Sequence, residues 1–287
     1  MSLSALTLVR GRRAHLVNLM TGLGAQNVLP DEFVIAWMQA PEPDGLPDLP
    51  FPVRHVRVDG EPMPLAAARN RAAEAATGDG LVFLDVDCIP APHLFAAYAA
   101  ALGTGEGLYL GEVLYLPAEA VGEAIDFAAL DRIGKTHPSK PTIPAEGVRA
   151  EPDCGQMWGL SFAIERGVYL RVDGMDEGFV GYGGEETDFS VRLAARGVKL
   201  YWTAGARAYH QHHTVHVPPL QQFDAILANA GRFHGKHGRW CMDYWLGQFA
   251  EAGFIEWHEG AAAIRVVRRP TRVEVEAARQ PDDRLFS

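Results

Sequence analysis

The chain has 287 residues, of which 48% are hydrophobic and 22% charged, and its formal net charge is −10. This size and mixture are typical of a globular chain, and the negative charge argues against general nucleic-acid binding. Three cysteines argue against a disulfide framework. No apolar run reaches the ~20 residues that a bilayer requires, so we expect no membrane span. The N-terminal residues lack the pattern of a signal peptide, so we expect a cytoplasmic location.

The N-terminal part alternates predicted strands and helices. This alternation predicts an α/β fold with a mostly parallel sheet flanked by helices. Ligands of such sheets bind beyond the carboxyl ends of the strands, here residues 10–13 and 85–87. The predicted strands are 4–9, 32–38, 53–58 and 81–85, and the predicted helices are 11–26, 65–76 and 92–102.

The pattern is less regular beyond residue 103. Residues 134–152 are polar and contain prolines, which favours a loop, and the C-terminal part favours helices. The predicted strands are 108–116, 157–164, 199–202, 206–210 and 263–267, and the predicted helices are 119–130, 185–196, 218–234 and 242–250.

Two acidic residues follow the most strand-like run in the chain. Asp85 and Asp87 come directly after residues 81–84, and alternation along an extended chain directs both side chains to the same side. Mg²⁺ and Mn²⁺ take such carboxylate ligands and often keep positions for substrate phosphates. A solvated turn is the alternative interpretation, because two acids at this spacing are common by chance.

The residues around this pair resemble a known enzyme family. Residues 66–87, AAARNRAAEAATGDGLVFLDVD, are similar to the core of family 2 glycosyltransferases of the GT-A fold, in which an Ala-Arg-Asn helix precedes a strand that ends in a metal-binding Asp-x-Asp. Residues 83–90, FLDVDCIP, resemble the matching stretch of the β-1,4-galactosyltransferases. The resemblance implies a GT-A (Rossmann-like), mixed, mostly parallel sheet flanked by helices, with a C-terminal helical extension.

The same resemblance divides the chain. It implies a GT-A catalytic domain over residues 1–217, with a nucleotide-sugar-binding half at 1–102 and an acceptor and catalytic half at 103–217. Residues 218–287 are predicted to form a C-terminal helical extension packed on the same domain. We also expect the loop at 134–152 to close over the donor.

The first strand-to-helix turn, LVRGRRAHL, resembles the turn in which galactosyltransferases place two nucleotide-binding arginines. Arg10 and Arg12 match these positions, and a guanidinium can pair bidentately with phosphate. The resemblance also places Gly159 beneath the donor sugar and Trp158 where it can stack on a sugar ring, although a core role for Trp158 is the alternative. The other implied donor-binding residues are Arg69, Asn70, Asp85 and Val86.

Residues 174–193, GMDEGFVGYGGEETDFSVRL, are the most specific segment of the chain. Its glycines permit close approach to a ligand, and Glu185 and Glu186 fall at a predicted helix start, where acidic capping is the alternative interpretation. The segment is similar to the Gly-Gly-Glu-Asp motif of the galactosyltransferase module. That similarity implies that Glu185 binds an acceptor hydroxyl and that Glu186 is the general base, although Glu186 stands where Asp is usual.

Four of the eleven histidines fall within residues 206–216. The resemblance implies a metal-binding histidine after the acidic helix, and His210 matches it. An imidazole suits a borderline ion such as Mn²⁺. If the strand continues, His212 shares the face of His210 and His213 points away. A polar surface loop is the alternative interpretation.

Together these motifs predict a metal-dependent, inverting glycosyltransferase that moves a sugar from a nucleotide-sugar, a UDP-sugar, to an acceptor hydroxyl. Asp85, Asp87 and His210 are the predicted ligands of Mn²⁺ or Mg²⁺. The expected acceptor is a glycan, a lipid-linked molecule or a small molecule. The alternatives are a retaining N-acetylgalactosaminyl-type transferase and a non-catalytic nucleotide-sugar-binding protein. A sugar-1-phosphate nucleotidyltransferase is disfavoured because its lysine-bearing glycine-rich loop is missing near the N-terminus.

Overall fold

A computed structural model of the chain describes residues 1–286. Its central strands are buried at every position because helices cover both faces of the sheet. In chain order the elements are β1 (Leu3–Val9), α1 (Arg13–Gly24), β2 (Glu32–Trp37), β3 (Val53–Arg57), α2 (Leu65–Ala75), β4 (Gly80–Leu84), β5 (Cys88–Pro90), α3 (Leu94–Leu102), β6 (Gly107–Tyr115), α4 (Phe127–Ile133), β7 (Lys135–Thr136), β8 (Val148–Glu151), β9 (Ser161–Glu165), α5 (Arg166–Arg171), α6 (Glu185–Ala195), β10 (Lys199–His210), α7 (Phe223–His237), α8 (Asp243–Glu251), β11 (Ile255–Glu256), β12 (Arg265–Val266) and α9 (Arg272–Ala277).

The sheet is mixed but mostly parallel. Its order is β3-β2-β1-β4-β9-β6-β10-β5. β3, β2, β1 and β4 run parallel, β9 lies antiparallel between β4 and β6, and β6 pairs parallel with β10. β1, β4 and β6 therefore share one direction, and their carboxyl ends meet at one edge. The predicted fold class is confirmed.

Alternating side chains along the strands divide the interior into two cores. Leu6 and Val34 pack with the alanines of α2 on one face. Ala5 and Phe33 pack with α1 and α3 on the other face. This two-sided burial explains why the strands read as continuous apolar runs in the sequence.

Several predicted elements differ from the structure. The predicted helix at 119–130 is wrong in its first part, because α4 begins only after Asp126, whose carboxylate caps it by accepting from the Ala129 N–H at 3.0 Å. The predicted loop at 134–152 contains β7 and β8, which are too short to give an alternation signal. The two strands predicted at 199–210 are one strand, β10, with an irregular register between Trp202 and Arg207.

The C-terminal extension has an apolar core of its own. Phe223, Ile226, Leu246, Phe249 and Phe254 form its centre. β11 and β12 pair antiparallel within it, so the segment is not purely helical. The domain boundary at residue 217 stays a prediction. Across residues 1–286, every helix falls short of the length and apolar character needed to traverse a bilayer.

Candidate active site

The acidic pair lies where β4 ends, but the chain turns there at once. The N–H of Cys88 donates to the carbonyl of Asp85 at 2.8 Å, and β5 begins at Cys88. The backbone from Asp85 to Asp87 is therefore a turn and not an extended strand. The alternation argument for this pair was wrong for that reason, and the two carboxylates take different partners.

Asp87 joins two histidines. Its side chain is 6% exposed and lies 3.6 Å from Nε2 of His210 and 3.7 Å from Nε2 of His213. Ligand atoms of these three residues all lie within 4.8 Å of one another. The guanidinium of Arg12 also contacts the Asp87 carboxylate. One carboxylate and two imidazoles form a donor set that suits a borderline divalent ion such as Mn²⁺.

His213 belongs to this cluster, contrary to the sequence prediction that it points away. β10 ends at His210, so strand alternation does not apply to the residues beyond it. The two imidazole rings lie 5.1 Å apart. Burial lowers the pKa of both, that of His213 to about 4 with help from the Arg12 charge. Both rings are thus neutral near pH 7, which is the metal-binding form of histidine.

Asp85 faces Arg69 instead of the histidines. Nη2 of Arg69 lies 3.1 Å from Asp85 Oδ1 and 3.3 Å from Glu186 Oε1, and Nη1 lies 3.3 Å from Glu185 Oε1. The Arg69 side chain is only 2% exposed. Asp85 therefore lies outside the metal cluster. Arg69 is taken up by these carboxylates, which does not suit its predicted direct contact with the donor. Instead, one buried cation connects the end of β4 with the start of α6.

Glu185 and Glu186 begin α6 but differ in access to solvent. Their side chains are 1% and 15% exposed. Oε2 of Glu185 has no hydrogen-bond partner among residues 1–286. This interior position does not suit the predicted contact of Glu185 with an acceptor hydroxyl. Burial and the neighbouring Glu185 charge raise the pKa of Glu186 well above its ordinary value, and Arg69 opposes that shift.

Asn70 and Val86, both predicted to bind the donor, are interior residues. The Asn70 amide donates to the Met175 carbonyl at 2.8 Å and to Glu177 at 2.9 Å. Its oxygen accepts from the Tyr169 hydroxyl at 2.7 Å and from the Met175 N–H at 2.8 Å. This fills its hydrogen-bonding capacity. Val86 is 7% exposed and packs in the core.

A small cleft, with a cavity volume of about 30 Å³, is lined by residues of β6 and of the segment that leads into β9. Glu186 and the histidine cluster each adjoin it through one lining residue. Tyr115 lines it and has its ring 4.7 Å from that of His210. Gly159 lines it with φ +73°, and a Cβ there would come 2.7 Å from both Arg69 Nη2 and Glu186 Oε1. The close approach that Gly159 permits is thus to the acid cluster, and its predicted contact with a sugar stays a prediction.

Trp158 lines the same cleft, and its ring is in contact with a lysine that was not predicted from the sequence. Nζ of Lys140 lies 3.3 Å from the centre of the Trp158 ring. Burial lowers the pKa of Lys140 to about 6. One face of Trp158 is thereby covered, and its predicted sugar stacking stays a prediction. No local pattern marks this contact, because β7 and the following turn bring Lys140 across.

Arg10, the other predicted nucleotide contact, lies at the rim. Its guanidinium pairs with Glu61, and its side chain is 32% exposed. Arg12 is 38% exposed although it contacts Asp87. Both arginines thus keep surface that faces solvent at the carboxyl end of β1.

Comparisons with known proteins concern two segments of the chain and its fold. Residues 47–119 match the glycosyl transferase family 2 model, and residues 145–216 match a model described as the N-terminal domain of galactosyltransferase. Validoxylamine A glucosyltransferase of Streptomyces hygroscopicus subsp. jinggangensis is 27% identical, over 60% of this chain and 44% of that protein. The chain thus spans less than half of the length of this curated relative.

Two solved structures share the fold. GalNAc-T7, solved with UDP, GalNAc and Mn²⁺, superposes with a TM-score of 0.56 at 19% identity, over 74% of this chain and 43% of that one. S. aureus TarS 1-349 superposes with a TM-score of 0.54 at 12% identity, over 88% of this chain and 72% of that one. At these identities the likeness shows the fold. Together with the two segment matches, it makes the chain similar to GT-A, galactosyltransferase-like glycosyltransferases.

Proposed function

We propose that the chain transfers a glycosyl group from a UDP-sugar to an acceptor hydroxyl with inversion at the anomeric carbon. The observation that carries this proposal is the position of Glu186. Its carboxylate is partly exposed and lies next to Gly159 of the cleft, while Tyr115 of the same cleft packs its ring against His210 of the Asp87 cluster. A base on one side and a phosphate-binding set on the other is the arrangement that in-line displacement requires.

Glu186 acts as the general base in this proposal. It removes the proton of the acceptor hydroxyl while that oxygen forms a bond to the anomeric carbon and the bond from that carbon to the diphosphate breaks. The nucleoside diphosphate leaves, and the proton stays on the Glu186 carboxylate. A raised pKa suits this role because a base acts best when its pKa lies near the working pH.

Asp87, His210 and His213 would hold the divalent cation, Mn²⁺ or Mg²⁺. When bound, the cation would supply neutralising charge for the diphosphate leaving group. Arg12 would add a further positive charge at the same point. We assign Asp85 and Glu185 to Arg69, where they keep Glu186 in place.

The relatives support the donor class. The GalNAc-T7 structure contains UDP, GalNAc and Mn²⁺, and the curated relative is named as a glucosyltransferase acting on validoxylamine A. For this chain we propose an acceptor with a sugar-like hydroxyl, carried by a glycan, a lipid-linked molecule or a small molecule. The cytoplasmic location stays a prediction.

The test measures binding and turnover separately. We expect UDP with Mn²⁺ to raise the melting temperature of the wild type, and UDP release from a panel of UDP-sugars to identify the donor. Glu186→Gln should keep the UDP-dependent stabilisation and lose turnover by about a hundredfold or more. Glu259→Gln, at an exposed glutamate, is the matched control.

Two outcomes would contradict the proposal. Unchanged turnover in Glu186→Gln would remove this residue as the base. A wild type that binds UDP but transfers no sugar would favour the non-catalytic alternative. NMR of the product's anomeric configuration separates inversion from retention.

A further inference from the structure

The glycine loop, residues 178–184, presses against the C-terminal extension. A Cβ on Gly181 would come 2.8 Å from Cβ of Ala225, and one on Gly183 would come 2.5 Å from Sδ of Met242. A Cβ on Gly178 would meet the guanidinium of Arg232. At these three positions the absence of a side chain therefore allows close packing of the extension, whereas the sequence pattern had suggested close approach of a ligand.

The extension also holds the backbone and the aromatic residue of this loop. Asn229 of α7 is 2% exposed, and its amide donates to the carbonyls of Val180 at 3.2 Å and Tyr182 at 3.3 Å. The rings of Tyr182 and Trp245 of α8 lie 5.5 Å apart. The last loop residues before α6 are thus fixed from the side that faces the extension.

Lys236 of α7 joins the two ends of this region. Its Nζ lies 2.6 Å from Oδ2 of Asp176, before the glycine loop, and 2.5 Å from Oδ1 of Asp188, in the first turn of α6. Asp188 is wholly buried and also lies 2.8 Å from Nε2 of His237. Asp188 also pairs with Arg192 of its own helix at 2.8 Å. Lys236 is therefore not its sole cation, but it is the one that joins the first turn of α6 to Asp176, and this contact constrains where α6 begins.

We infer that Lys236 is a positioning residue for Glu186, and that α7 and α8 of the C-terminal extension therefore belong to the working site of the proposed transferase. Asp188 lies two residues beyond Glu186 in the same helical turn. The ion pairs of Lys236 are to Asp176 and Asp188 and not to Glu186, so its effect on transfer is indirect. The matched galactosyltransferase segment ends at residue 216, which leaves α7 and α8 outside it.

The central experiment compares Lys236→Met with Arg269→Met. Arg269 pairs with Asp224 at 2.9 Å in the same extension, where both side chains are at least two-thirds exposed at 70% and 68%. This inference rests on the proposed function. We expect Lys236→Met to lower kcat roughly a hundredfold, because a displacement of about 1 Å can have that effect.

Three further readouts separate positioning from stability alone. The donor KM and the stabilisation by UDP with Mn²⁺ should stay near wild type in Lys236→Met, because Asp87 and its histidines are untouched. Lys236→Arg should restore most of kcat, since a guanidinium can also bridge two carboxylates. Arg269→Met should match the wild type. A lower melting temperature with an unchanged kcat in folded Lys236→Met would overturn the inference.

Absence of sugar transfer by the wild type would count against the proposed function but not against positioning by the extension. If the wild type transfers no sugar, hydrogen exchange of residues 176–188 replaces turnover as the readout. Faster exchange in Lys236→Met than in Arg269→Met supports positioning by the extension. Equal exchange in the two variants overturns it.

Discussion

Arg69 of α2 and Glu186 of α6 lie 3.3 Å apart, although the two helices are far apart in the sequence. The same guanidinium holds Asp85 and Glu185, so three carboxylates share one buried cation. Burial, together with the neighbouring negative charge, raises the pKa of Glu186 well above its ordinary value. This relationship determines both the stability and the pH response of the site.

Removing the Arg69 cation should strongly destabilise the protein. In Arg69→Met three largely buried carboxylates lose their partner, and we expect a loss of about 3–5 kcal/mol in the free energy of unfolding. Arg69→Lys should recover part of it. Arg71→Met is the control, because Arg71 pairs with Glu74 at the surface. Chemical denaturation measures the difference, and equal stabilities of the two methionine variants would contradict the assignment.

Transfer should depend on a proton held by Glu186. Because the pKa of Glu186 is raised and the base must be deprotonated, kcat/KM should rise with pH through a midpoint above the ordinary glutamate range. Glu185→Gln removes a repelling charge and should move this midpoint to lower pH. A pH–rate series on both proteins tests this, and an unmoved or higher midpoint speaks against it.

The same pKa predicts an opposite effect on stability. A carboxyl group whose pKa is raised by folding binds more protons in the native state than in the unfolded state, so it costs stability as pH rises above the unfolded pKa. Glu186→Gln removes this cost. We expect its melting temperature to exceed that of the wild type at pH 8, with the gap closing towards pH 4. A melting-temperature difference between Glu186→Gln and the wild type that widens at low pH would contradict this prediction.

Metal binding should follow the observed cluster and not the sequence motif. We expect His213→Ala and Asp87→Asn to abolish the Mn²⁺-dependent stabilisation by UDP. Asp85→Asn should change it much less, because Asp85 faces Arg69. His212→Ala is the control, since the backbone carbonyl of His212 is the atom that contacts His15. Mn²⁺ titrations followed by thermal shift rank the four variants.

Lys140 should reduce stability most at acidic pH. Its pKa falls from 10.5 to about 6 on folding, so between these values the unfolded chain binds more protons and stability rises with pH. Lys140→Met should therefore be more stable than the wild type near pH 6, with the difference vanishing towards pH 10. Paired melting curves across this range measure it, and a pH-independent difference would falsify the explanation.

The sequence predicts the sheet well but the site only in part. The apolar runs of β1 and β4 specify strands because both faces are buried. The side chains of Asp85 and His213 were misplaced because each lies just past a strand end, where a turn replaces the alternation. The link from Arg69 to α6 spans more than a hundred positions, so no local spacing encodes it.

Arg69 and Asn70, which are adjacent in α2, together connect three parts of the site. Arg69 holds the end of β4 and the start of α6, while Asn70 holds the turn at Met175 that leads into the glycine loop. A small shift of this helical turn would therefore move the end of β4, the start of α6 and the turn before the glycine loop as one unit.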